Sequence, residues 1–174
     1  PGGKFTEWLF DDKRDTNQCV TIKGPFGSFY LREKATPIVC IAGGSGLAPI
    51  KSILEGGVLD QSKRDVVFLF GARTQDDLYC VKELESIKKN WNKDYKFDFI
   101  PVLSMEPEDS DWKGGRGFVT DYFEEHIVKK NNMDISDWQG YLCGPPPMVD
   151  AATSLLEKLG IKNDEIFFDS FTDS

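Results

Sequence analysis

From Pro37 onward, short apolar runs alternate with longer stretches of helical period. The runs are Ile38–Ala42, Val66–Gly71, Phe97–Leu103, Gly140–Cys143 and Ile166–Phe168. They are near-continuously apolar rather than alternating, which is the pattern of strands covered on both faces. Between them the spacing predicts helices at Ala48–Leu59, Asp76–Asn90, Thr120–Lys130 and Pro146–Leu159. The last is the cleanest: Met148, Val149, Ala152, Leu155, Leu156 and Leu159 share one face, and Gly160 stops the pattern. Strand–helix alternation of this length predicts an α/β fold, a doubly wound five-stranded parallel sheet.

Residues 1–34 read differently. A short helical candidate around Thr6–Phe10 precedes two β-like segments, Cys19–Lys23 and Ser28–Arg32, joined by the turn Gly24-Pro25-Phe26-Gly27. Two strands and a helix do not make an independent domain. The expectation is therefore a remnant, 1–34, of a larger domain cut at Pro1, followed by a complete domain at 35–174. The acidic stretch Glu106–Asp111 reads as a solvated loop.

Composition narrows the function classes. The chain has 174 residues, with 21 Lys and Arg against 29 Asp and Glu, a formal charge of −8. An acidic surface repels phosphate backbones, so nucleic-acid binding is set aside. No run approaches the ~18 apolar residues of a membrane helix. His126 is the only histidine, which removes multi-histidine metal sites and leaves little for a Ser-His-Asp triad. Cys19, Cys40, Cys80 and Cys143 stand 21, 40 and 63 residues apart, without zinc or iron–sulfur spacing or a disulfide framework. The expectation is a reduced, cytoplasmic-type protein without a metal site of its own.

Two segments carry candidate chemistry. In Ile38-Val39-Cys40-Ile41-Ala42-Gly43-Gly44-Ser45-Gly46-Leu47-Ala48-Pro49 a buried strand runs into a glycine cluster and then a helix. Glycines let backbone N–H groups approach a ligand, and the helix N-terminus adds partial positive charge, so a pyrophosphate is the expected guest. Pro49 suits a first helical turn and stands where the last glycine of Gly-x-Gly-x-x-Gly would be. The same residues also read as a plain strand-to-helix turn. In Tyr141-Leu142-Cys143-Gly144-Pro145-Pro146-Pro147-Met148 a strand ends at Cys143 and prolines stiffen the path to the next helix. If the two strands flank the switch point of the sheet, both turns face one crevice, and Cys143 lies where a nicotinamide ring would go. A small buried cysteine before a stiff loop is the plainer alternative.

These segments, in this order, resemble the ferredoxin–NADP reductase-like superfamily, and within it the NADH-dependent reductase components of bacterial oxygenases such as methane, phenol and toluene monooxygenases. Ala42–Pro49 resembles the family's pyrophosphate loop. The run Cys143-Gly144-Pro145-Pro146 is similar to its nicotinamide motif. Gly24-Pro25-Phe26-Gly27 resembles the end of its flavin barrel, and Gly2-Gly3-Lys4-Phe5-Thr6 the segment opening a short helix over the FAD pyrophosphate. Asp169-x-Phe171 resembles the terminal acid-x-aromatic pattern, in which the aromatic covers the flavin; an incidental aromatic at a frayed terminus is the other reading. The family's Arg-x-Tyr-Ser/Thr flavin motif and its four-cysteine iron–sulfur domain are not in this sequence.

The resemblance implies hydride transfer from NADH to FAD, with electrons passing to a [2Fe-2S] centre in a missing domain or partner, and on to an oxygenase or ferredoxin-type acceptor. It implies Cys143, Asp169 and Phe171 at the reacting rings. Nucleotide contacts would come from Gly43, Gly44, Ser45, Gly46, Leu47, Ala48, Pro49, Gly144, Pro145 and Pro146, and flavin contacts from Gly3, Lys4, Phe5 and Thr6. Nicotinamide choice is expected around Arg73 and Asp76, in Gly71-Ala72-Arg73-Thr74-Gln75-Asp76-Asp77. Arg73 alone favours a 2′-phosphate; Ser104-Met105-Glu106, followed by Glu108 and Asp109, disfavours one and predicts NADH. Runner-up readings are a flavohaemoprotein segment, a quinone-reductase subunit, a flavin reductase, and a non-catalytic nucleotide-binding domain.

Overall fold

The computed structural model describes residues 4–11, 19–24 and 26–170. Six parallel strands form one sheet in the order β4-β3-β2-β1-β5-β6. They are β1 (Ile38–Gly43), β2 (Val66–Ala72), β3 (Phe97–Leu103), β4 (Gly115–Arg116), β5 (Gln139–Gly144) and β6 (Ile166–Ser170). The expected five are all present. The sixth, β4, is a two-residue edge strand beside the end of β3, its Gly115 and Arg116 opposite Val102 and Leu103. Two residues are too few to leave a hydrophobic period, so no apolar run announced it.

The faces of the central strand explain the double winding. Every residue of β1 is buried. Val39 and Ile41 join one core, with Val149, Ala152 and Leu156 of α5 (Pro146–Lys158) and with Val119 and Phe123. Ile38, Cys40 and Ala42 join the opposite core, with Leu47, Ile50 and Leu54 of α2 (Leu47–Leu59) and Leu84 and Ile87 of α3 (Val81–Asn90). A period of two along the strand thus feeds two helical layers. Truncating one of these side chains to alanine costs about 2–5 kcal/mol.

The helices depart from expectation at two places. The segment predicted as one helix over 76–90 is split. Gln75–Asp77 forms a 3₁₀ turn, and α3 begins only at Val81. The Asp77 carboxylate folds back onto the N–H and hydroxyl of Thr74 (3.0 and 3.1 Å), and Cys80 takes a left-handed φ of 55°. Both features end helical continuation, and together they set Tyr79 on a bend. The helix expected at 120–130 begins as α4 (Val119–Tyr122) and continues as a π-helix over Phe123–Lys129, carrying His126 stacked on Tyr122 at 4.4 Å.

The N-terminal segments correct the sequence reading. The short helix is there, as α1 (Lys4–Leu9), but Cys19–Lys23 and Ser28–Arg32 are not strands. A strand needs a neighbour for its ladder, and among the described residues neither segment has one. Residues 28–34 instead pack along the α/β unit, from Phe29 in a groove with Pro49 and Asp169 to Arg32 beside Arg64, which precedes β2. The Arg32 N–H donates to the Tyr141 hydroxyl at 2.9 Å, and the buried Arg64 guanidinium donates to the Arg32 carbonyl at 2.6 Å. Phe29 meets the Tyr141 ring edge-on at 6.0 Å.

Candidate functional site

Chain connections leave β1 toward β2 on one side and later return to β5 on the other. The switch point therefore lies between β1 and β5, where ligands of open α/β sheets bind. Ala42 and Cys143 are register partners there, so the two glycine turns leave the sheet side by side.

Their backbones interlock. A Cβ on Gly46 would lie 2.1 Å from the Cys143 carbonyl oxygen and 2.5 Å from the Gly144 nitrogen. One on Gly43 would strike Met148 Sδ at 2.6 Å, and one on Gly144 would lie 3.0 Å from the Gly43 carbonyl oxygen. At Gly46 the atoms in the way are backbone, which requires glycine on packing grounds alone; at Gly43 and Gly144 the flexible end of Met148 is the nearest obstacle. Gly44 is the opposite case: its φ is +52° and a Cβ there would meet nothing within 4 Å. It faces open space.

That space is a cavity of about 670 Å³, a size that suits a nucleotide. The first turn lines it with Gly43, Gly44 and Ser45, the second with Pro145 and Met148, and the end of β2 with Phe70, Gly71, Ala72 and Arg73. Val102 and Ser104 follow from the end of β3, Gly117, Phe118 and Val119 from the start of α4, and Asp77 and Tyr79 from the bend before α3. The N-terminus of α2 has no side-chain cap; it continues a 3₁₀ turn, Gly44–Gly46, whose Gly44 and Ser45 carbonyls take the Leu47 N–H.

The expected site residues divide between this cavity and other places. Gly46, Leu47 and Gly144 are buried beneath it, and Ala48 is exposed outside its lining. Pro49 lines a separate groove of about 380 Å³ with Phe29, Ile53, Phe168 and Asp169. Pro146 is exposed beside Phe168 in a third depression. Asp76 is exposed and does not line the cavity; its neighbour Asp77 does. Of the acidic loop, Ser104 reaches the lining while Glu106, Glu108 and Asp109 do not. Lys4, Phe5 and Thr6 stand in α1. Gly3 and Phe171 lie outside the described residues.

Cys143 is fully buried at the end of β5. Its thiol donates to the Asp169 carbonyl at 3.2 Å, across the β5–β6 register pair Cys143–Asp169. Burial, with the Asp169 carboxylate nearby, pushes its pKa up to about 11. The group is a neutral thiol at physiological pH, not a nucleophile.

Of the cavity residues the sequence reading missed, Tyr79 and Phe118 stand out. The Tyr79 hydroxyl donates to the Gly44 carbonyl at 2.7 Å while its ring meets Phe70 edge-on at 5.6 Å. Phe118 is a large aromatic left 67% exposed on the cavity rim. An aromatic at the end of a polar stretch carries no periodic signal. Only the bend at Cys80 and the turn at Gly117 (φ +93°) bring these two to the site.

Comparison with known proteins agrees with this geometry. The profile of the oxidoreductase NAD-binding domain family matches residues 40–154, two thirds of the chain and the whole span between the two glycine turns. The chain belongs to that family. The xylene/toluene monooxygenase electron transfer component of Pseudomonas putida is 47% identical over 171 residues, covering 98% of this chain and 46% of that protein. The propane 2-monooxygenase reductase component of Mycolicibacterium smegmatis is 39% identical over 177 residues, covering 99% and 48%. Among solved structures, the Amycolatopsis cytochrome P450 reductase superposes with a TM-score of 0.73 at 31% identity, covering 97% of this chain and 48% of that one. This NAD-binding family member thus spans about half the length of the curated relatives it matches. No helix among the described residues is long and apolar enough to cross a membrane.

Proposed function

We propose that this chain is the nicotinamide-binding part of a flavoprotein reductase, taking electrons from NADH for an oxygenase. Residues 35–174 bind the nucleotide, and 1–34 are the end of a flavin-binding barrel. The observation that carries the reading is the interlocked pair of turns at the switch point, floored by Gly46 against the Cys143 carbonyl and open at Gly44. When both are bound, NADH supplies a hydride and FAD accepts it, and the protein's part is orientation and electrostatics.

The residues fit that part. Gly44 and Ser45, in the 3₁₀ turn that leads into α2, present N–H donors to a pyrophosphate at the positive end of the helix. Tyr79 holds the Gly44 carbonyl away from the phosphates. Pro145 and Met148 wall the cavity on the β5 side and direct the nicotinamide end toward the Cys143–Asp169 edge. There Pro49, Phe168 and Asp169 line the separate groove, where the Phe168 ring could meet one face of a flat ring. Hydride transfer needs no proton at Cys143, and a thiol that stays neutral adds no charge beneath the ring. Cys143 packs and positions. An iron–sulfur centre held by another domain or protein would supply one-electron transfer onward to an oxygenase or ferredoxin-type acceptor.

Stopped-flow reduction of the flavin in the full reductase tests the proposal. NADH is expected to reduce it and to saturate at lower concentration than NADPH. Nucleotide binding without any flavin reduction would make the chain a binding module. Faster reduction by NADPH would overturn the choice of NADH.

A further inference from the structure

Arg73 follows β2 on the cavity wall, 73% exposed in its side chain, where a free guanidinium would attract a ribose 2′-phosphate. It is not free. Asp77, one 3₁₀ turn later, places Oδ2 3.8 Å from Arg73 Nε and lines the same cavity. The Thr74 N–H and hydroxyl bind the same carboxylate oxygen at 3.0 and 3.1 Å, so its position is fixed whether or not a ligand is present. Those bonds, the Thr74 backbone N–H foremost, hold Asp77 below the usual carboxylate range and keep it ionised.

The surroundings add more negative charge than positive. Glu106 accepts both the backbone N–H and the side-chain amide of Gln75, at 2.9 and 2.7 Å. Asp111 accepts from the same Gln75 amide at 3.2 Å. Arg116, the other guanidinium here, is turned toward the carbonyls of Glu106 and Pro107 at 2.9 and 3.0 Å. We infer that the Arg73–Asp77 pair sets nucleotide choice: Asp77 neutralises the one cationic side chain on the described cavity wall, and so admits a ribose with a free 2′-hydroxyl and disfavours a 2′-phosphate. This rests on the nucleotide-binding reading above and adds the residue that discriminates. It also moves the discrimination from the loop after β3, whose carboxylates do not line the cavity, to the 3₁₀ turn after β2.

The test uses ADP-ribose and 2′-phospho-ADP-ribose, which carry no nicotinamide, so affinity is read by calorimetry on the flavin-loaded reductase without turnover. Asp77→Asn keeps an oxygen for the Thr74 N–H while removing the charge. It is expected to raise the affinity for 2′-phospho-ADP-ribose relative to ADP-ribose about three- to fivefold, the scale of an exposed charge pair. Arg73→Gln is expected to change that ratio less than about twofold in the wild-type background, and to cancel the gain in the Asp77→Asn background. If Asp77→Asn does not fold, Arg73→Gln alone decides: a loss of tenfold or more in 2′-phospho-ADP-ribose affinity would mean Arg73 engages the phosphate despite Asp77, and the inference falls. An unchanged ratio in a folded Asp77→Asn protein that still binds ADP-ribose overturns it too. Failure of wild type to bind ADP-ribose at all would instead remove the nucleotide reading on which it rests.

Discussion

The two glycine-bearing turns at the switch point look alike in sequence and do different work. The turn after β1 is part floor and part opening: Gly46 is pinned against the Cys143 carbonyl, while Gly44, two residues earlier, faces the cavity. The turn after β5 is almost wholly a buttress. Cys143 and Gly144 are buried, and only Pro145, with Met148 beyond it, reaches the cavity wall. Small residues therefore serve here for two separate reasons, to let backbone meet backbone and to let a ligand meet backbone. Substitution separates the two.

The largest effect is expected at Gly46. A side chain there displaces the second turn, since the atoms in its way are backbone atoms of Cys143 and Gly144. Gly46→Val is expected to lose about 2–4 kcal/mol of stability and to abolish NADH binding. Gly44→Ala has room and carries only the cost of a left-handed backbone, about 1–2 kcal/mol. Chemical denaturation together with NADH titration separates them. Equal losses at the two positions would mean the turns are not interlocked.

A smaller effect, of a different kind, is expected at Cys143. Cys143→Ala removes a buried sulfur and its bond to the Asp169 carbonyl, at about 1 kcal/mol. In the full reductase it should slow flavin reduction about tenfold while NADH affinity falls less than about threefold. A wild-type reduction rate would leave Cys143 as packing only. The thiol also sets a pH dependence. Its pKa in the folded chain, about 11, lies above its ordinary value of 9.0. Its contribution to stability is thus complete below pH 9 and is lost as pH rises through about 11. Buried Cys40 and Tyr141, whose pKa values burial also raises, act in the same direction. The alkaline limb of the stability curve should therefore be shallower in Cys143→Ala than in wild type.

The same contrast separates what the sequence made legible from what it hid. Strands buried on both faces leave continuous apolar runs, so β1, β2, β3, β5 and β6 were readable to within two residues. The glycine turns were readable because each follows such a run. The cavity's other walls were not, because they depend on breaks in helices. Asp77 ends the 3₁₀ turn through a side-chain bond to Thr74, and Cys80 holds a left-handed φ; helical period cannot report either. The sequence thus points to Asp76, one residue early, and its helical period over 76–90 runs through Tyr79 without marking it. The N-terminal segments misled for the reverse reason. Val20, Ile22 and Tyr30 have the composition of strands but no ladder to join among the described residues, and they stand exposed.

Tyr79 offers the finest test, because it touches the opening of the first turn without belonging to either turn. Its ring is anchored edge-on to Phe70, so Tyr79→Phe keeps the packing and removes only the hydroxyl. What is lost is one hydrogen bond, at 2.7 Å, to the Gly44 carbonyl. A neutral bond on a partly exposed carbonyl is worth about 0.5–1.5 kcal/mol. Without it the Gly44 carbonyl keeps only the Leu47 N–H of its 3₁₀ turn and is held less firmly away from the phosphates that the neighbouring N–H groups would bind. NADH affinity should then fall about three- to tenfold, KM rising with it while the maximal rate of flavin reduction holds, because the nicotinamide end is set by the other turn. A drop in maximal rate at unchanged affinity would mean that the first turn also positions the reacting ring, and the division of work between the two turns would not stand.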